Sequence, residues 1–271
     1  MRITPLTGTI GAEVTDIDLR RLDDDEVAAV RQAVLDHYVL CFRGQELTDE
    51  DQIAFGKRLG ELHIAPFGPK NAAHPEMTVL DQVEPKGEGA DAWHTDNTFD
   101  PHPPDFTLLR CVILPERGGD TCFADMYAAY DALSEPMHRL IEGAYAVHDL
   151  TKTLRKAIEI GASNADLTAM QEAWPPVRHP VVRTHPETGR RALFVNGNFT
   201  THLDGVTPAE SEVLLPLLLD TISSPDRQCR VRWEPGTVLL WDNRCVQHYA
   251  VPDYTERRCM HRVTIGAGTP E

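Results

Sequence analysis

Three short stretches carry the residue types that metal and anion chemistry needs. The first is Trp93-His94-Thr95-Asp96-Asn97-Thr98-Phe99. On extended backbone, residues two apart point to the same side, so the His94 imidazole and the Asp96 carboxylate can take neighbouring positions on one metal. Alone, such a triplet arises often by chance. The second stretch, Trp241-Asp242-Asn243-Arg244-Cys245-Val246-Gln247-His248-Tyr249-Ala250, follows an apolar strand and reads as leading into a loop. His248 offers a second imidazole. Two histidines and one carboxylate on one face of a metal, with other positions open, make the ligand set of non-haem Fe(II) oxygenases. The third stretch is Arg257-Arg258-Cys259-Met260-His261-Arg262. As a strand it places Arg258 and Arg262 on one face and Arg257 and His261 on the other. Two guanidiniums facing one way bind two anions or clamp two ends of one site, and a solvated basic face is the plainer alternative.

These groups need a scaffold that holds them to within an ångström. The chain has 271 residues, 41% hydrophobic and 25% charged, enough for a substantial core in a single domain over residues 1–271. With 26 Lys+Arg against 42 Asp+Glu the formal charge is −16, which argues against nucleic acid and against an anionic membrane surface. No apolar run reaches membrane-spanning length. The first residues, Met1-Arg2-Ile3-Thr4-Pro5, lack the apolar segment of a secretory signal. The six cysteines form no C-x-x-C pair and read as buried free thiols. A cytoplasmic protein is expected.

Residues 23–38 read as a helix opened by acidic residues, and Val39–Phe42 as a short buried strand. Thr48-Asp49-Glu50-Asp51 caps a second helix that stops at Gly60, and Thr207-Pro208-Ala209-Glu210 opens another through about Ile222. Strands are expected at Met77–Leu80, Phe106–Leu114, Thr121–Ala124, Ala144–His148, Val177–Thr184, Arg191–Val195, Gln228–Trp233, Thr237–Trp241 and His261–Ile265. Hairpin-type turns are expected at Pro186–Gly189 and Glu234–Gly236. Many short strands with few helices point to a sandwich or barrel with helices outside. Stretches 62–76, 82–92 and 150–176 read as irregular, the pattern of lids over a site.

Taken together, the motifs resemble the taurine dioxygenase / 2,4-D dioxygenase family of Fe(II)- and 2-oxoglutarate-dependent dioxygenases. The resemblance runs from Ile3–Gly8 and Ile10–Val14 through Phe55–Gly60, Gly118–Thr121, His179–Pro186 and Leu193–Asn196 to Trp241–Ala250 and Arg257–Arg262. It implies a mainly β fold with outer helices, the double-stranded β-helix or jelly roll. It also implies Fe(II) as metal, with 2-oxoglutarate and O2 as cosubstrates. Position by position, His94, Asp96 and His248 match the iron ligands, and Arg258 and Thr121 match the residues that hold 2-oxoglutarate. Arg262 matches the arginine that meets the substrate's anionic group, and Phe99 and Phe199 match apolar residues of the substrate pocket.

The resemblance is to the family rather than to its taurine-using members. Where those carry His-Ile-His-Pro-Val-Tyr, this chain has His63-Ile64-Ala65-Pro66-Phe67-Gly68. Ala65 and Gly68 replace the polar contacts to the sulfonate and the ammonium, and a buried ammonium without partners is costly. The expected substrate is therefore a small or medium organic anion with an apolar body, foremost an alkyl sulfonate or sulfate ester. An aryloxyalkanoate or an amino-acid-like carboxylate fits the same residues. A homo-oligomer is expected. A non-catalytic metal-binding jelly roll is the contrasting reading, and it has no use for Thr121 or Arg258.

Overall fold

The structure, a computed structural model, describes residues 1–64, 69–85 and 92–271. Its largest sheet has Arg2–Pro5 at one edge, then Ala12–Thr15, Val39–Phe42, Val238–Asp242, Phe106–Ile113, Arg257–Ile265 and Leu62–His63; Met77–Val83 also pairs with Arg257–Ile265. A second sheet orders Gln228–Val231, Thr121–Asp125 and Val246–Ala250, and a third orders Thr200–Asp204, Tyr145–His148 and Val177–Pro180. Val182–Thr184 and Arg191–Leu193 form a hairpin across the Pro186–Gly189 turn.

Alternation along the strands builds two cores. Leu40, Phe42, Leu108, Val238, Leu240, Val263 and Ile265 of the large sheet pack outward against Val27, Val30, Val34, Ile53, Phe55 and Leu59. Those residues come from the helices Asp24–His37 and Asp49–Leu59. Cys41, Leu109, Leu239, Trp241 and Met260 face the other way, towards Phe123, Val231 and Val246 of the second sheet. This is the jelly roll with outer helices, and its inner face carries the site.

Local chemistry explains the helix ends. Asp23 accepts from the Glu26 amide while Glu26 reaches back to the Asp23 amide; Thr48 and Asp51 repeat this box. Thr207 and Glu210 do so again for Pro208–Asp220, after which Thr221–Ser223 is a 3-10 turn. Three expectations need correction. Residues 150–176 hold the helices Thr151–Glu159, amphipathic but with no side-chain cap to mark its start, and Leu167–Ala173, which is short and capped by Asp166. Glu234–Gly236 joins strands of two different sheets and is no hairpin. There Gly236, with φ +72, lies so close to the Gln45 backbone that a Cβ would sit 3.0 Å from its nitrogen. Third, His248 lies within the strand Val246–Ala250, where a loop was expected.

Candidate metal and cosubstrate site

His94 and His248 exchange two backbone hydrogen bonds, His94 N to His248 O at 3.0 Å and His248 N to His94 O at 2.8 Å. Directly opposite residues in an antiparallel pair share a face, so the two imidazoles lie side by side with ring centroids 4.1 Å apart. Thr95 turns the other way and donates to Val246 O at 3.0 Å, which returns Asp96 to the histidine face. Asn97 then takes φ 49, a left-handed conformation that asparagine tolerates, and the chain turns away. Ligand-type atoms of His94, Asp96 and His248 all lie within 4.8 Å of one another, and all three residues are buried.

The surroundings set the charge state of each donor. His94 Nδ1 donates to the Ala92 carbonyl at 2.7 Å, which leaves the Nε2 lone pair to face inward. Burial, helped by neighbouring His94, holds His248 at a pKa of about 3, the neutral imidazole that ligates metals. Burial pushes the Asp96 carboxyl up, but Arg262, both histidines and Thr107 outweigh it and hold it at about 2. Arg262 Nη1 donates to Asp96 Oδ1 at 2.7 Å, and Thr107 Oγ1 donates to Oδ2 at 2.7 Å. Thr107 is in turn fixed by Asn243 Nδ2 at 2.8 Å, and Asn243 by Trp241 Nε1 at 3.0 Å. Two imidazoles, that of His248 held neutral by burial, and an ionised carboxylate on one face are a donor set that fits Fe(II).

Arg258 and Arg262 share the inner face of Arg257–Ile265, while His261 on the outer face meets Asp49 at 2.7 Å. Arg258 is buried; its Nε donates to Gly119 O at 3.1 Å, and its Nη2 has no partner. Gly119 has φ +71, and a Cβ there would come within 3.0 Å of the Arg258 side chain, so this approach requires glycine. The guanidinium lies 5.7 Å from the Trp233 ring and 5.9 Å from Tyr254. Trp233 Nε1 donates to Thr121 Oγ1 at 3.0 Å. A buried cation with an unmet donor beside a fixed hydroxyl fits one end of a dicarboxylate.

Phe99 and Phe199 meet with centroids 5.1 Å apart, and Trp174 closes on Phe99 edge-on at 5.7 Å. Leu150 and Leu154 complete this small apolar cluster, so the helix Thr151–Glu159 faces it, and Trp174 joins it from just past Leu167–Ala173. Ala65 and Gly68 lie outside the described residues. Trp233, Tyr254, Thr107, Asn243 and Trp174 belong to this region without having been assigned a role from sequence. Alternation in Gln228–Val231 extended by two residues points Trp233 inward with Cys229 and Val231; the others act through space and left no local signal. His148 is fully buried and pairs with Thr98 Oγ1 at 2.9 Å.

Comparison with known proteins decides the family. The family described as "Taurine catabolism dioxygenase TauD, TfdA family" matches residues 2–264. The chain belongs to it. The reaction class is that of a 2-oxoglutarate-dependent dioxygenase, with Fe(II) as metal and 2-oxoglutarate and O2 as cosubstrates. An alpha-ketoglutarate-dependent sulfate ester dioxygenase of Pseudomonas putida is 36% identical over 281 residues, covering 99% of this chain and 90% of that one. A (S)-phenoxypropionate/alpha-ketoglutarate-dioxygenase of Sphingobium herbicidovorans is 36% identical over 287 residues, covering 99% and 95%. A solved taurine dioxygenase structure from Burkholderia xenovorans superposes with TM-score 0.85 at 36% identity, covering 99% and 90%. Among the described residues of this dioxygenase, no helix is long and apolar enough to cross a membrane.

Proposed function

We propose that the chain hydroxylates a medium-length organic anion, foremost an alkyl sulfate ester or alkyl sulfonate, at the carbon next to the heteroatom. The observation that carries this is the convergence of His94, Asp96 and His248, with Arg258 and Arg262 on the inner face of the strand Arg257–Ile265 and Arg262 bonded to Asp96. In this reading His94, Asp96 and His248 hold Fe(II), which when bound supplies the O2 chemistry that inserts oxygen into a C–H bond. The unmet Nη2 of Arg258, beside Thr121, holds the far carboxylate of 2-oxoglutarate. Arg262 meets the substrate's anion, and Phe99, Phe199, Leu150 and Trp174 exclude water from its apolar body. A hydroxyl on the carbon bearing a sulfate oxygen gives a product that collapses to aldehyde and sulfate. Ala65 and Gly68, in place of taurine-type contacts, argue that taurine is a poor substrate. The free thiols, with Cys41, Cys111, Cys229, Cys245 and Cys259 buried, support a reducing, cytoplasmic location.

The test is succinate formation from 2-oxoglutarate with Fe(II) and O2 across alkyl sulfates, alkyl sulfonates, aryloxyalkanoates and taurine. Each methylene buried in the apolar cluster gains about 0.8 kcal/mol, roughly fourfold in kcat/KM. We expect that slope from butyl to octyl sulfate, with taurine near the bottom of the panel. Absence of succinate with iron bound defeats the enzyme reading; taurine at the top defeats the pocket reading alone.

A further inference from the structure

Gly119 is held from two sides. Its carbonyl accepts from Arg258 Nε at 3.1 Å, and its amide donates to Asp253 Oδ1 at 2.8 Å. Asp253 lies in residues 251–256, the connection from the strand of His248 to the strand of Arg258. Gly118 and Gly119 take φ +78 and +71, and two successive glycines can turn in many ways unless something fixes them. Just beyond them Val251 N donates to Asp120 O at 2.9 Å, and Thr121 follows with its hydroxyl on Trp233. The Asp253 carboxylate fixes the glycine pair itself, and Gly118 packs so closely on Asp253 that a Cβ would strike its carbonyl. The other oxygen of Asp253 meets Arg230 at 3.4 Å, but both side chains are about half exposed, and such a surface pair contributes little. The bond to Gly119 is therefore the one with a consequence for the site.

We infer that Asp253 is a positioning residue for 2-oxoglutarate, acting through the Gly119 amide on Arg258. The inference rests on the proposed role of Arg258. With the amide held, the Gly119 carbonyl stays on Nε, and the planar guanidinium keeps its unmet Nη2 in one direction. Released, the glycine pair turns, Nε loses its acceptor, and a buried guanidinium with two unmet nitrogens rearranges. The experiment is anaerobic titration calorimetry of 2-oxoglutarate into the Fe(II)-loaded chain and its D253A, D253N, G118A, R258K and D253A/R258K variants. D253A is expected to weaken 2-oxoglutarate about tenfold, the worth of one hydrogen bond to a charged group. D253N, whose amide oxygen still accepts from Gly119, should stay within about threefold of wild type, and G118A, which forces the same contact apart from the turn's side, should lose about as much as D253A. R258K should lose about tenfold by itself, and adding D253A to it should cost less than about threefold more, because the two act on one guanidinium. With R258K weakened, three results overturn the inference: wild-type affinity in D253A (or in G118A, should D253A not fold), equal losses in D253A and D253N, or a full further loss on adding D253A to R258K. R258K at wild-type affinity defeats the proposed role of Arg258, and the inference with it.

Discussion

Two buried clusters in this molecule each join a carboxylate, an imidazole and a guanidinium, and they differ in what they leave unmet. Around Asp242, Arg244 gives Nε to Oδ1 at 2.8 Å and Nη2 to Oδ2 at 2.7 Å, and His185 Nε2 donates to Oδ2 at 3.0 Å. His185 Nδ1 accepts the amides of Glu187 and Thr188, and Arg244 Nη1 reaches Glu187 at 2.6 Å. The donors and acceptors close on each other, and burial is offset by Arg244, which with His185 holds Asp242 at about 2. Around Asp96 the same residue types stop short of closure: His248 Nδ1 and Arg262 Nε are buried without partners. The two imidazoles there lie side by side next to the ionised Asp96 carboxylate. A closed cluster stabilises the fold; an open one awaits a ligand.

The largest break in this contrast is His248→Ala. Losing a partner one bond beyond a metal ligand typically costs 10–100-fold, so losing a ligand should cost about 10³-fold or more in iron affinity and turnover. Circular dichroism should stay unchanged, because His248 closes no cluster of its own. Metal analysis of the purified variant checks it, and full iron occupancy would remove His248 from the metal set.

Arg244→Met should do the reverse. It strands Asp242, 0% exposed, without its guanidinium, at a cost of about 3–5 kcal/mol. For a chain of this size that lowers Tm by roughly 10 °C, with iron bound normally by the folded fraction. A melt within 2–3 °C of wild type, roughly 1 kcal/mol, would show that the Asp242 cluster contributes little.

Acid should separate the two regions as well. His179 Nε2 donates to the carbonyls of Thr98 and Asp100 at 2.9 and 3.1 Å, pinning the turn that follows the metal triplet. Burial lowers its pKa from 6.5 to about 4. Between those values the unfolded chain takes up a proton that the folded chain refuses, so stability falls as pH drops through 6.5 and levels off near 4. The loss is about 3 kcal/mol at 1.36 kcal/mol per unit. Asp242, held low, loses its contribution only below 3.8. Urea midpoints at pH 7, 5.5 and 4.5 should therefore decline in wild type and less in His179→Gln.

Much of this was legible in the residues. The acidic run from Asp23 and the caps at Thr48 and Thr207 mark three helix starts, and the strand Val39–Phe42 has the bounds its sequence predicts. Spacing put His94 with Asp96 and Arg258 with Arg262 on shared faces; the choice of His248 as third ligand and the roles of all five rested on the family resemblance. What spacing cannot give is the partner across a sheet. His185-to-Asp242 and His248-to-Asp96 are the same pair of residue types in sequence, and only the fold shows which is closed. Nor did spacing reveal that Arg262, expected to wait for substrate, already meets Asp96.

The finest test compares Arg258 with Arg244, two buried guanidiniums, one with an unmet nitrogen and one without. Arg258→Lys keeps the charge and the buried stem but replaces a planar fork with a single rotating ammonium. If Nη2 holds the far carboxylate of 2-oxoglutarate, the variant gives up one of two parallel hydrogen bonds. A hydrogen bond to a charged group is worth about 1.5–3 kcal/mol, and the ammonium recovers part of it. The KM for 2-oxoglutarate should therefore rise roughly tenfold, with the KM for the alkyl sulfate unmoved. Because Gly119 O accepts from Nε alone, the same change should shift Tm little. An unchanged 2-oxoglutarate KM with a lowered Tm would move Arg258 into the class of Arg244, a residue that closes the fold and touches no ligand.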